Sequence, residues 1–182
     1  MSVVLAVVWA WMAFALARAM RAAQEAGLIG RRLRLVGRWA ALISSFACIA
    51  ATVVFVLHPL VFNEWTNAAP TVFSASSIVL LTCWTATQWL ASRRIRRSPL
   101  QELTWIQAVL IALLWAVYLI VMSREAVLKW QVAAPVWLEN LVDRLEYPMI
   151  ALIAALLILM MTNLVLMRRS VRRFVRARTG AL

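Results

Sequence analysis

Five stretches of this chain are apolar for long enough to cross a lipid bilayer, and that feature limits the fold more than any motif does. They cover residues 2–20, 39–62, 71–92, 105–123 and 148–167. A helix rises about 1.5 Å per residue, so about 20 residues cross a hydrocarbon layer roughly 30 Å thick. None of the five carries Asp, Glu, Lys or Arg at mid-depth, and Gly27, Gly30, Gly37 and Gly180 all lie outside them. The expectation is all-α: a polytopic transmembrane helix bundle of five spans, one domain over residues 1–182. Composition agrees, with 65% hydrophobic and 14% charged residues, against about half and a quarter in soluble domains. Pro70 and Pro148 are read as helix starts, where a missing N–H costs nothing. Pro59 is expected to kink the end of the second span.

The first block differs from a cleaved leader in its charge order. Met1 and Ser2 at its start carry no positive side chain, and the basic residues come at and after its far end, with Arg18 and Arg21. That order belongs to a retained helix with its N-terminus outside.

Charge gives the orientation. With five spans, one side of the membrane carries sixteen of the 19 basic residues and two acids, Glu25 and Glu102, for a net +14. The other side carries Arg124, Lys129 and Arg144 with five acids (Glu64, Glu125, Glu139, Asp143 and Glu146), for a net −2. Cytoplasmic loops carry the excess of Lys and Arg, so the chain reads N-out and C-in. A count of four spans breaks this alternation. Trp39, Trp89 and Trp105 fall near inner ends, and Trp65, Trp130 and Trp137 on the outer side, the depths that indoles favour. Trp9, Trp11, Trp84 and Trp115 lie deeper, to fill gaps between helices or face lipid.

The arginines are the first candidate contact surface. Residues 28–38 read LIGRRLRLVGR, and the basic tail 168–182 begins RRSVRRFVRAR. Both are expected to lie as surface helices with apolar side chains in the inner headgroup layer. The expected lipid or partner contacts are Arg31, Arg32, Arg34, Arg93, Arg94, Arg168, Arg169, Arg172, Arg173 and Arg176, toward anionic headgroups. An acidic protein partner is the alternative. Insertion alone explains a basic residue at every inner boundary, so a nucleic-acid role is disfavoured. On the outer side, 135–147 reads as a short amphipathic helix. Its stripe is Trp137, Leu138, Leu141, Val142 and Leu145; its wet face is Glu139, Asn140, Asp143 and Glu146. It is expected to lie on the outer leaflet or to cap the bundle.

Within the spans, Ser44, Cys48 and Thr52 form a line of small residues suited to close helix approach. The third span is the most polar, with Ser77, Thr85 and Gln88 as a helix-packing face or a pore lining. It is placed inside the bundle, antiparallel to the second. Cys48 lies nine residues from Trp39 and Cys83 nine from Ser92, so the two thiols are expected at one depth, free and packed. Gln107, Thr162 and Asn163 read as interhelix hydrogen-bonding groups and Tyr118 as a packing residue.

The chemistry of an enzyme is missing. One Asp cannot make an intramembrane aspartyl dyad, and no His-Glu-x-x-His, GxSxG or Walker motif occurs. His58 is the only histidine, too few ligands for a metal site or a two-histidine haem within one chain. No enzyme activity, cofactor or metal is expected. A span without charge argues against ion-coupled transport, and spans without glycine argue against the broken helices of transporters. A small transporter ranks third. The leading expectation is a non-catalytic inner-membrane subunit that anchors, senses or regulates through a partner, with a phage-exclusion or defence system as one setting. The alternative is a self-assembling, holin-like pore. Eighteen arginines to one lysine, with abundant Ala, Val, Leu and Trp, fit a GC-rich bacterium or its phage, hence the bacterial inner membrane.

Overall fold

The computed structural model describes residues 3–57, 65–95, 100–129 and 135–179. Every regular element among them is an α-helix: α1 Val3–Glu25, α2 Arg31–Leu57, α3 Trp65–Arg94, α4 Leu100–Lys129 and α5 Val136–Thr179. Each contains a stretch long and apolar enough to cross a membrane. The all-α bundle with five candidate spans therefore stands. His58 and Pro59 lie outside the described residues.

The helices are longer than their apolar runs. The Arg31–Arg38 segment is not a separate surface helix but the first two turns of α2. The tail from Arg168 to Thr179 likewise continues α5, and the amphipathic segment 135–147 is not a separate helix but begins α5, which runs on through Pro148. Pro70 sits inside α3, not at its start. Each of these prolines removes one intrahelical hydrogen bond without ending its helix. The apolar side chains of the basic segments explain the continuity. Leu28, Ile29 and Val171 are buried in the core, and Leu33 and Phe174 pack against it. Those contacts hold the segments on the bundle, where the surface-helix reading had put the same side chains in lipid. Leu35 and Val36 remain exposed. In the amphipathic segment, Leu138 is buried while Trp137 and Leu141 are exposed, so the predicted stripe divides between protein and surroundings.

A tight turn joins α1 to α2. Gly27 has φ +72°, a conformation in which a side chain costs about 1–2 kcal/mol. The Leu28 N–H donates to the Ala23 carbonyl and the Gly27 N–H to the Gln24 carbonyl, both at 2.8 Å. This paired pattern closes a helix end at a left-handed glycine, with Leu28 and Ala23 buried beside it.

Sequential helices pack on one another, α2 and α3 along the longest shared face, and α1 meets α5 to close the bundle. The central position of α3, in contact with α1, α2 and α4, matches its polar character. Trp9 of α1 meets Phe73 of α3 edge to face at 5.4 Å. Lower down, Met20 of α1 lies against Gly37 of α2: a Cβ at residue 37 would stand 2.6 Å from Met20 Sδ and 3.6 Å from Cys83 Cβ. A side chain there would have to displace the flexible end of Met20. The core is made by Leu16, Met20, Leu80, Trp84, Leu156, Met160 and Met167. The outer faces carry Phe46, Ile158 and Trp11, an apolar exterior that suits lipid and not water.

The Gly37–Cys83 approach corrects one expectation. Cys48 lies eleven residues beyond Gly37 on α2, about 16 Å further along the helix. The two cysteines are free and buried, as expected, but they sit at different depths.

Candidate functional site

A chain of side-chain hydrogen bonds crosses three helices. Asn163 Nδ2 of α5 donates to Gln107 Oε1 of α4 at 2.5 Å. Gln107 Nε2 donates to Thr85 Oγ1 of α3 at 2.7 Å. Thr85 Oγ1 donates to the Leu81 carbonyl at 3.0 Å. Every donor points the same way along the relay. Gln107 and Asn163 are fully buried, and amides in that setting need partners. Both act as the interhelix bonders that their sequence position suggested. Thr162 does not: it is exposed and bonds back to the Ile158 carbonyl of its own helix. Tyr118 packs edge to face on Trp115 at 6.0 Å, and Trp115 Nε1 donates to Thr82 Oγ1 of α3 at 3.1 Å.

The expected polar face of α3 is enclosed. Ser77, Thr85 and Gln88 are all buried. Gln88 follows Thr85 by one turn and is fully enclosed, yet neither of its amide atoms has a partner among the described residues. Ser77 Oγ and Asn163 Oδ1 are also without one. Each unsatisfied buried group costs about 1–3 kcal/mol. Ser44, Cys48 and Thr52 line a buried stripe of α2, where Thr52 bonds to the Cys48 carbonyl at 2.9 Å.

The arginines gather at one end of the bundle. Arg34 Nη1 of α2 donates to Gln24 Oε1 of α1 at 2.7 Å. Arg94 at the end of α3 donates to the Gly27 carbonyl in the α1–α2 turn. Arg93 lies 3.8 Å from the centre of the Trp89 ring, a cation–π distance. Arg176 has a partner of its own. Arg31, Arg32, Arg168, Arg169, Arg172 and Arg173 are exposed, with no hydrogen bond or ion pair to a described residue. Of the ten predicted contact arginines, Arg34 and Arg94 thus join segments at the bundle's end, and Arg31, Arg32, Arg168, Arg169, Arg172 and Arg173 are exposed there. Arg96 and Arg97 lie outside the described residues.

Sequence reading missed one arrangement at this end. Between α1 and α5 lies a cleft of about 260 Å³ lined by Arg18, Ala19, Ala22, Met167, Arg168, Val171 and Arg172. Arg18 was recognised as a boundary charge but not as part of a site. Ala22 lies one turn from Arg18 on α1, but the pairing with α5 depends on tertiary packing and leaves no mark in the sequence. Among the described residues, no three His, Cys, Asp or Glu side chains converge as metal ligands. No family model, curated protein or solved structure matches the chain.

Proposed function

We propose that this chain is a non-catalytic, multi-pass subunit of a bacterial inner membrane, oriented N-out with its arginine end in the cytoplasm, that anchors, senses or regulates through a protein partner. One observation carries the reading: the polar groups that a pore would turn toward water are enclosed within a single copy of the chain. Ser77, Thr85 and Gln88 face protein, and Thr85 is tied through Gln107 to Asn163. The exposed arginines that bond to no described residue are then available to dock the partner. No Asp, Glu, Lys or Arg lies at mid-depth to couple an ion to transport.

A self-assembling pore is the second reading, and the unpartnered amide of Gln88 favours it. A buried group without a partner gains free energy on meeting water, so rearrangement in an oligomer could turn α3 outward. Two measurements separate the readings. Affinity purification from the native host in mild detergent is expected to bring down a stoichiometric partner. Single cysteines at 77, 85 and 88, in a chain lacking Cys48 and Cys83, are expected to resist a water-soluble thiol reagent in the membrane. Elution as a homo-oligomer alone, with labelling at these positions, would reject the subunit reading in favour of the pore.

A further inference from the structure

We infer that the cleft between α1 and α5 is a binding site for a single anionic phospholipid, its phosphate held by Arg18, Arg168 and Arg172. The cleft has the two-part chemistry of a lipid's polar end. Its floor is apolar: Met167, Val171 and Ala19 are buried there. Its rim carries three guanidinium groups, all exposed and none bonded to a described residue. Free phosphate would use only the rim. A phospholipid uses both parts, with its phosphate among the arginines and its glycerol and first methylenes over the floor.

The helices build this site by repetition. Arg168 and Arg172 are one turn apart on α5, as are Met167 and Val171, so the cationic and apolar rows run side by side. On α1, Ala19 and Ala22 supply the space, because a longer side chain at either would fill the gap.

The level along the bundle is also that of headgroups. Arg18 and Arg168 are the first charges after the apolar parts of α1 and α5. The approach of Met20 to Gly37 brings Arg38, the last charge before the apolar part of α2, to nearly the same height. Three arginines on three helices thus mark one plane, and charges at the end of an apolar run sit at the phosphate layer. Arg172 lies one turn beyond that plane and closes over the phosphate from the aqueous side. Guanidinium is suited to this, since its planar fork can give two hydrogen bonds to phosphate oxygens.

The inference rests on the reading of the chain as a membrane protein with its arginine end at the headgroups, but not on the existence of a protein partner. Co-purification tests the partner, and lipid retention tests the cleft. The experiment is native mass spectrometry of the full-length chain in uncharged detergent, titrated separately with phosphatidylglycerol, phosphatidylcholine and inorganic phosphate. One phosphatidylglycerol is expected to remain bound, with phosphatidylcholine and phosphate alone not retained. The double variant R18Q/R172Q should bind phosphatidylglycerol about tenfold more weakly. The control R31Q/R32Q, with equal loss of charge on another face, should bind it as the parent does. Because R18Q/R172Q could fail to fold, Ala22→Trp provides a second test: it fills the cleft at an exposed position, keeps every arginine, and should likewise weaken retention. Equal loss in both double variants would show diffuse electrostatics and overturn the site. So would retention of phosphate alone, or undiminished lipid binding by the folded Ala22→Trp chain.

Discussion

Gln88 is the side chain whose setting least resembles its chemistry. It can donate two hydrogen bonds and accept two, and it is fully buried with both amide atoms unpartnered among the described residues. Replacing it with Leu keeps most of the volume and removes the unsatisfied groups. Gln88→Leu is therefore expected to raise stability in detergent by about 1 kcal/mol, read as a higher midpoint of thermal unfolding. A clear fall in that midpoint would mean that the amide has a partner after all. If the variant is more stable but loses its partner, Gln88 is kept for function at a cost in stability. The sequence showed that Gln88 belonged to a polar face, because the Ser, Thr and Gln residues cluster on one span. It could not show that Thr85 would be satisfied and Gln88 would not. That difference depends on where Gln107 enters from α4, a matter of three-helix register.

At the scale of elements, sequence pattern located the helices well and their ends poorly. A run of arginines ends an apolar span, but it need not end a helix. Leu28, Ile29, Leu33 and Val171 gave the basic segments apolar faces that suited headgroups as well as they suited the core. The error had a consequence for register. The second span was counted from Trp39, whereas α2 begins at Arg31 and meets Cys83 at Gly37. A crosslinking experiment tests the observed register. The native pair Cys48–Cys83 should not form a disulfide under mild oxidation, since about 16 Å separates their levels. Gly37→Cys, placed in a Met20→Ala, Cys48→Ser chain to make room, should join to Cys83. The Cβ separation of 3.6 Å at that position falls within disulfide range. Oxidation of the native pair instead would restore the equal-depth register.

The whole molecule has a polar, arginine-bearing end and an end with few basic groups, and the charge count alone made that visible. Five helices give the alternation, and contacts such as Arg34 with Gln24 and Arg94 with Gly27 draw the basic termini of α1, α2 and α3 together. With the arginine end in the cytoplasm, Arg173→Cys in a cysteine-free chain should be protected from an impermeant thiol reagent in spheroplasts and react after permeabilisation. Trp137→Cys, at an exposed position of the other end, should react in intact spheroplasts. The reverse pattern would invert the topology without changing the bundle. What the sequence withheld at this scale was closure: nothing in the spacing of Arg18 or Arg168 announced that α1 and α5 would meet around a cleft.

The relay through Gln107 also sets a timetable for the newly made chain. Gln107 can offer its N–H to Thr85 as soon as α3 and α4 are together, but its carbonyl oxygen waits for Asn163, 56 residues later. At about 5–20 residues per second, that wait is roughly 3–11 s of synthesis. During it, the Gln107 carbonyl oxygen lacks the donor that Asn163 gives it in the complete bundle. The arrival of α5 brings the Asn163 amide, the donor that this oxygen has in the finished bundle.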